Sequence, residues 1–410
     1  MSTHYDIVLY NTYESIMKND FKINIDQSIL DDLQNRIADT RWTNETENAG
    51  WEYGANRSYL KTLCDYWQHS FDWRTQEAEL NRLPHYQTKI EDVNVHFIHI
   101  KGKGPNPTPL LMLHGWPDSF YRFHKIIPML ADPASSDNGS TQSFDLIIPS
   151  LPGIGFTDVV SAAHKQPMRY TAKLLWKLMT EVLGYERFIS VGGDGGSPIS
   201  QTLAIDYPQS LIGIYLTDLG WHVANVDPEI LSKTEKHYLD KSKQVSYKDG
   251  AYAMVQITKP QTLAYSLTDS PVGLAAWIID RFYGWCDCDG KIEESFTKDE
   301  LLTNITMYWA TGTIASSMRN YRAEMLSPTL TTEDYVSIPV GLGLFPKDIG
   351  GVPPREFAER TLNVQHWTEM PKGGHFTAWE QPELFVEDLR KFVSTLAITG
   401  NGSTIKKSTK

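Results

Sequence analysis

The spacing of apolar positions changes character along the chain. Up to about Asn81 it is helical: in "DQSILDDLQNRIADTRW" Leu30, Leu33 and Ile37 fall on one face, with Asp26 placed to cap the first turn. Trp42, Trp51, Trp67 and Trp73 accompany this stretch, a density that suits packing against a neighbouring layer better than ligand binding. From His85 onward the runs shorten. "VNVHFIHI" alternates like a strand, whereas "PLLMLHGWP" and "FDLIIPSLPGIGF" are nearly continuous apolar runs suited to strands buried on both faces. "YTAKLLWKLMTEVLG" reads as an amphipathic helix with Leu174, Leu175, Leu178, Met179 and Val182 inward and Gly184 as its stop. "FISVGGD" and "LIGIYLTD" add two strands, so the expected class is α/β with a mostly parallel central sheet flanked by helices.

After Leu219 the alternation breaks off into a Tyr- and Trp-rich helical stretch reaching about Tyr335. Strand character returns in "SIPVGLGLFPKD" and "NVQHWTEMPKGGH", and "QPELFVEDLRKFVSTL" closes as a helix with Pro382 in its first turn. The expected organisation is an N-terminal arm over 1–84, extending toward 105, a core split into 85–219 and 336–398, a helical lid inserted at 220–335, and a polar tail at 399–410.

Composition narrows the partners. The 410 residues are 41% hydrophobic and 21% charged, as in a globular protein with a sizeable core, and a net charge of −12 argues against nucleic acid. Cys64, Cys286 and Cys288 supply neither a zinc site nor a disulfide framework, which fits a reducing compartment. No secretion leader or membrane anchor is legible, so a cytoplasmic location is expected.

The chemistry centres on "ISVGGDGGSPIS". Gly192-x-Asp194-x-Gly196, between a strand and a helix, has the frame of a nucleophile elbow with aspartate where serine is usual; the bland alternative is a glycine turn with an N-cap aspartate. "LHGWPDSF" offers His114-Gly115-Trp116-Pro117 as an oxyanion loop, "LFPKD" places Asp348 after a strand, and "PKGGHFTAWEQP" places His375 before the last helix. The order Asp194, Asp348, His375 is the nucleophile, acid, histidine order of hydrolases with such an elbow. Asp218, ending "IYLTD", competes for the acid role.

On these motifs, together with "LDDLQNRIADTRW", "YWQHSFDWRTQEAELN" and "TKPQTLAYSLTDSPVGLAAWI", the chain resembles the microsomal-type epoxide hydrolases of the α/β-hydrolase fold, and its layout is similar to that of the soluble fungal members. The resemblance covers nearly the whole chain. It implies an arm wrapped around core and lid, and two lid tyrosines matched here by Tyr252 and Tyr321, with Tyr308 as the nearest alternative. Gly195 departs from the pattern, since relatives commonly carry a bulky residue after the nucleophile.

The implied reaction turns a lipophilic epoxide and water into a vicinal diol with no cofactor and no metal. Asp194 would form a covalent ester, Tyr252 and Tyr321 would protonate the ring oxygen, His375 oriented by Asp348 would activate water, and the N–H groups of Trp116 and Gly195 would hold the oxyanion. Trp277, Phe282, Tyr283 and Trp309 would line an apolar pocket or form lid core. The resemblance also fits a homodimer, and a role in detoxification, such as aromatic hydrocarbon catabolism, or in a biosynthetic step. The competing readings are a haloalkane dehalogenase using the same aspartate and a catalytically silent binding protein of the same fold.

Overall fold

The computed structural model describes residues 19–132, 134, 142–161, 166–220 and 226–400. Eight strands form one sheet: β1 (His85–Ile90), β2 (Val93–Ile100), β3 (Thr108–Leu113), β4 (Phe144–Pro149), β5 (Phe188–Gly192), β6 (Leu211–Leu216), β7 (Val336–Leu344) and β8 (Leu362–Glu369). Their order across the sheet is β1-β2-β4-β3-β5-β6-β7-β8. The β1–β2 and β2–β4 pairs are antiparallel and the others are parallel, which is the α/β-hydrolase arrangement. β4 is buried along its whole length and β3 from Leu110 to Leu113, as their unbroken apolar runs require. β1, "HYQTKI", has no such run, and it is defined by pairing with β2.

One register row explains where the chemistry gathers. Leu113 pairs with Gly192, Gly192 with Leu216, Leu216 with Leu342, and Leu342 with Trp367, so the carboxyl ends of five strands lie side by side. The residues that follow those ends carry Trp116, Asp194, Asp218, Asp348 and His375. Open α/β sheets bind ligands along such an edge because the loops there are free to vary.

Three apolar clusters hold this frame. Two cover the faces of the sheet: Leu174, Leu175 and Ile199 pack on one, and Phe385, Leu389 and Phe392 of the final helix on the other. The third joins arm to lid. Its arm residues come from α1 (Gln27–Ala38) and α2 (Arg57–His69), which contribute Leu33, Ile37, Leu60, Leu63 and Trp67; α3 (Trp73–Leu80) packs instead toward the sheet. Trp67 is fully buried and donates its indole N–H to Thr306 Oγ1 at 3.0 Å, while Trp51 stacks on Tyr283 with centroids 3.9 Å apart. The tryptophans thus fasten the arm onto the lid, each burying a large apolar area.

The lid consists of α4 (Lys233–Asp249), α5 (Ala251–Thr258), α6 (Pro260–Asp269), α7 (Pro271–Trp285), α8 (Lys298–Thr311) and α9 (Ile314–Leu326). Two expectations change in detail. Asp26 stands at the N-cap of α1, but its side chain makes no capping bond; the turn is closed by the Ile29 N–H donating to the Asp26 carbonyl. The last helix, α10 (Pro382–Gly400), runs past the expected start of the tail, and residues 401–410 lie outside the described residues, as does the N-terminal stretch 1–18. No described helix is long and apolar enough to cross a membrane, and no metal-ligand cluster occurs among the described residues.

Candidate active site

β5 ends in Gly192 and the following helix begins at Gly196, leaving Asp194 at the apex with φ +54°, the left-handed region that non-glycine residues seldom occupy. The strain is tolerated because strand and helix come very close: a Cβ on Gly192 would overlap the backbone of Gly196, and one on Gly196 would overlap that of Leu113. Asp194 is therefore the apex of an elbow, not the cap of an ordinary turn; the N-cap position of the helix belongs to Gly195.

The two Asp194 oxygens have different surroundings. Oδ1 accepts the backbone N–H of Trp116 at 3.0 Å and that of Gly195 at 2.6 Å. Oδ2 lies 3.2 Å from His375 Nε2, in the geometry of an ion pair without the alignment of a hydrogen bond. The two expected oxyanion donors thus grip one oxygen, and the other is left without a backbone donor, beside the imidazole.

His375 Nδ1 is 2.7 Å from Asp348 Oδ1. Burial by itself would lower the histidine pKa, but the carboxylates of Asp348 and Asp194 outweigh it and raise the value to about 10. Burial likewise opposes ionisation of Asp348, yet the charge and hydrogen bond of His375 hold that carboxyl below its usual range. Asp218 instead supports the elbow, its Oδ2 accepting the Asp194 N–H at 2.7 Å and its Oδ1 the Gly220 N–H at 2.8 Å. Burial and then the repulsion of Asp348 push its pKa up to about 6. The site so assembled holds three carboxylates around one imidazolium.

Tyr252 and Tyr321 face the same cavity as Asp194, Asp218, Asp348 and His375, a space of about 450 Å³. Their rings meet edge-on with centroids 6.1 Å apart, and burial together with the Asp194 charge raises both pKa values, so both phenols carry their protons at neutral pH. The Trp116 indole stacks on Tyr252 at 5.5 Å and meets Tyr321 edge-on at 5.8 Å. Tyr308, the alternative, is occupied elsewhere, donating to the Asp118 carbonyl at 2.8 Å inside the lid core. His114 accepts the Leu151 N–H through Nε2 at 3.0 Å beneath its turn, a structural place.

The four aromatics offered as pocket lining are not in it. Phe282 is buried in lid core, Tyr283 stacks on Trp51, Trp277 donates to Gln256 Oε1 at 3.2 Å, and Trp309 lies under Arg36. The cavity is lined instead by apolar groups such as Leu239, Ile257, Phe345 and Ile349.

Several supporting residues have no local signature in the sequence. Glu380 accepts the N–H groups of Asp287 at 2.7 Å, Gly374 at 3.0 Å and Phe376 at 2.8 Å, and Asp287 accepts that of Gly373 at 2.8 Å, which fixes the loop carrying His375. Arg122 pairs with Asp118 at 3.0 Å and donates to the His375 carbonyl, joining the Trp116 loop to the histidine loop. Arg281 bonds Asp249 at 2.7 Å and sits 5.0 Å over the Tyr252 ring, a cation on the face of the phenol. The visible hint was limited to the i,i+4 spacing of Asp118 and Arg122.

Known proteins resemble this chain along most of its length. The family model for the epoxide hydrolase N terminus matches residues 18–123 and that for the alpha/beta hydrolase fold matches 108–242. Epoxide hydrolase 1 of Oryctolagus cuniculus is 37% identical over 91% of this chain and 88% of that protein. Among solved structures, Aspergillus niger epoxide hydrolase superposes with a TM-score of 0.81 at 28% identity, covering 93% of this chain and 98% of that one. Juvenile hormone epoxide hydrolase of the silkworm Bombyx mori gives 0.84 at 27% identity, covering 93% and 95%. The likeness runs through arm, sheet and lid alike, and the chain belongs to the epoxide hydrolase family.

Proposed function

We propose that this protein opens a lipophilic epoxide to a vicinal diol through an ester on Asp194. The observation that carries the reading is the unequal placement of the Asp194 oxygens, one held by two backbone N–H groups and the other beside His375, on a residue that lines the same cavity as two protonated phenols. Oδ2 attacks a ring carbon, the carbon–oxygen bond of the ring breaks, and the alkoxide takes a proton from the Tyr252 and Tyr321 pair. A carboxylate suits this step because an epoxide offers a saturated carbon, and the ester it forms is one that water can cleave.

Esterification removes the charge of Asp194 and with it one of the two anions that keep His375 protonated. The histidine pKa falls, its proton passes to solvent, to be regained once Asp194 is again a carboxylate, and a neutral imidazole becomes available to activate water. Water adds to the ester carbonyl, Oδ1 becomes the oxyanion, and the N–H groups of Trp116 and Gly195 stabilise it, by roughly 3 kcal/mol per donor. One water proton reaches the leaving alkoxide through His375. The other, released as Asp194 returns to a carboxylate, restores the phenol. Asp348 fixes the imidazole tautomer and offsets its charge.

The residues require no cofactor for these steps. The apolar lining supports a lipophilic substrate. The reading is tested by turning over an aryl epoxide in heavy-oxygen water. Label should enter the Asp194 side chain and a single turnover should yield unlabelled diol; label in the diol at the first turnover, with none in Asp194, would mean direct attack by water.

A further inference from the structure

We infer that the site accepts epoxides substituted on both ring carbons, with a short second substituent seated in a small cavity beside Gly195. This rests on the epoxide-opening reading above and adds the substrate class. Two cavities meet at the nucleophile. The large one lies on the His375 side; the other, of about 50 Å³, is bounded by Trp116, Gly195, Ile199, Met168 and Val160. Asp194 and Tyr321 are the residues common to both linings. An epoxide with one carbon at Asp194 and its oxygen toward Tyr321 therefore sits at the junction, and groups on its two carbons have two separate spaces to enter.

The size of the small cavity sets what fits. A water needs on the order of 10–15 Å³ of such space, so this cavity has room for a methyl or short alkyl group and not for an aryl ring. Its walls are mostly apolar, which favours hydrocarbon over a charged group.

Gly195 is what leaves the space open. Gly192 and Gly196 are demanded by the elbow, since a Cβ on either would overlap backbone. Gly195 is different. Its backbone is helical at φ −57° and ψ −27°, which any residue adopts, and a Cβ there would meet only the Cα of Gly115, at an ordinary 3.7 Å. The turn does not require glycine at this position, so the effect of having it is the room on the Trp116 side of Asp194.

The test compares kcat/KM for styrene oxide, which has one substituent, with that for trans-β-methylstyrene oxide, which adds a methyl on the second carbon. In the wild-type protein both should be hydrolysed. Gly195→Val fills the cavity from the elbow and Ile199→Phe fills it from the following helix, away from the oxyanion donors. Each should lower the ratio of methylated to unmethylated substrate about tenfold or more, the discrimination a filled apolar pocket delivers. Damage to the oxyanion hole by Gly195→Val would slow both substrates together and leave the ratio in place, and Ile199→Phe provides the measurement if valine disturbs the elbow. An unchanged ratio in Ile199→Phe, or a wild-type protein that takes styrene oxide but rejects its methylated form, would overturn the inference. No diol from either epoxide would instead overturn the epoxide-opening reading, and this inference with it.

Discussion

The Asp218 carboxylate accepts the backbone N–H of Asp194 at 2.7 Å, so the residue that competes for the acid role is bonded to the peptide at the elbow's apex, while Asp348 bonds the histidine. The two aspartates should therefore fail differently. Asp348→Asn should slow ester hydrolysis by roughly 10² to 10⁴ while ester still forms, because the imidazole loses its tautomer and its counter-charge. Asp218→Ala should slow both half-reactions alike, because it loosens the elbow that presents Asp194. Stopped-flow tryptophan fluorescence separates the steps; an Asp218→Ala protein impaired only in hydrolysis would return the acid role to Asp218.

Asp194→Ala should abolish turnover and any covalent adduct with the fold kept, since the smaller side chain makes no new contact and the glycines that let strand and helix approach are untouched. His375→Gln should accumulate ester, because opening the ring needs no base. Peptide mass spectrometry after acid quenching reads both. Absence of adduct in His375→Gln under single-turnover conditions would place the histidine in the first step as well.

Tyr252→Phe and Tyr321→Phe each remove one of two donors and should slow alkylation, up to the roughly 10² to 10⁴ of general acid catalysis, with the double variant losing nearly all ring opening. Hydrolysis of ester already formed should change little. A double variant that alkylates at the wild-type rate would remove the phenols from the reaction.

The two half-reactions should part company with pH. His375 is held protonated in the free enzyme by Asp348 and Asp194, its pKa raised to about 10 against burial, and water activation needs the neutral form. Ester hydrolysis should thus rise with pH along a limb whose midpoint lies below about 10, since Asp194 no longer contributes its charge once esterified. Alkylation, which needs no neutral imidazole, should lack that limb. Pre-steady-state rates across pH check this, and identical profiles for both steps would contradict it.

Glu380→Ala should leave the N–H groups of Asp287, Gly374 and Phe376 without their acceptor. At roughly 1 kcal/mol or more each, the loss should be about 3 kcal/mol, read from urea unfolding, with ester hydrolysis slowed through the displaced histidine loop. A loss of stability with hydrolysis unaffected would restrict Glu380 to the fold.

The parts legible in the sequence are those whose signals are local. Continuous apolar runs marked β3 and β4 because strands covered on both faces have no polar face to show, and helical periodicity marked the arm. Glycine spacing marked the elbow at Asp194 because close approach of strand and helix excludes a Cβ at Gly192 and Gly196. Tertiary structure decided what depends on partners far along the chain. β1 has no pattern of its own and exists through pairing with β2; Asp218 and Asp348 look alike in sequence, each following a strand, and they separate only when the loops fold over Asp194 and His375. Glu380, Arg122 and Arg281 were silent for the same reason, since a buried hydrogen-bond network places no periodic demand on the residues that supply it. Trp277, Phe282, Tyr283 and Trp309 went to the core rather than the cavity because the arm brings its own apolar face to them, an outcome set by packing between segments that no single stretch of sequence encodes.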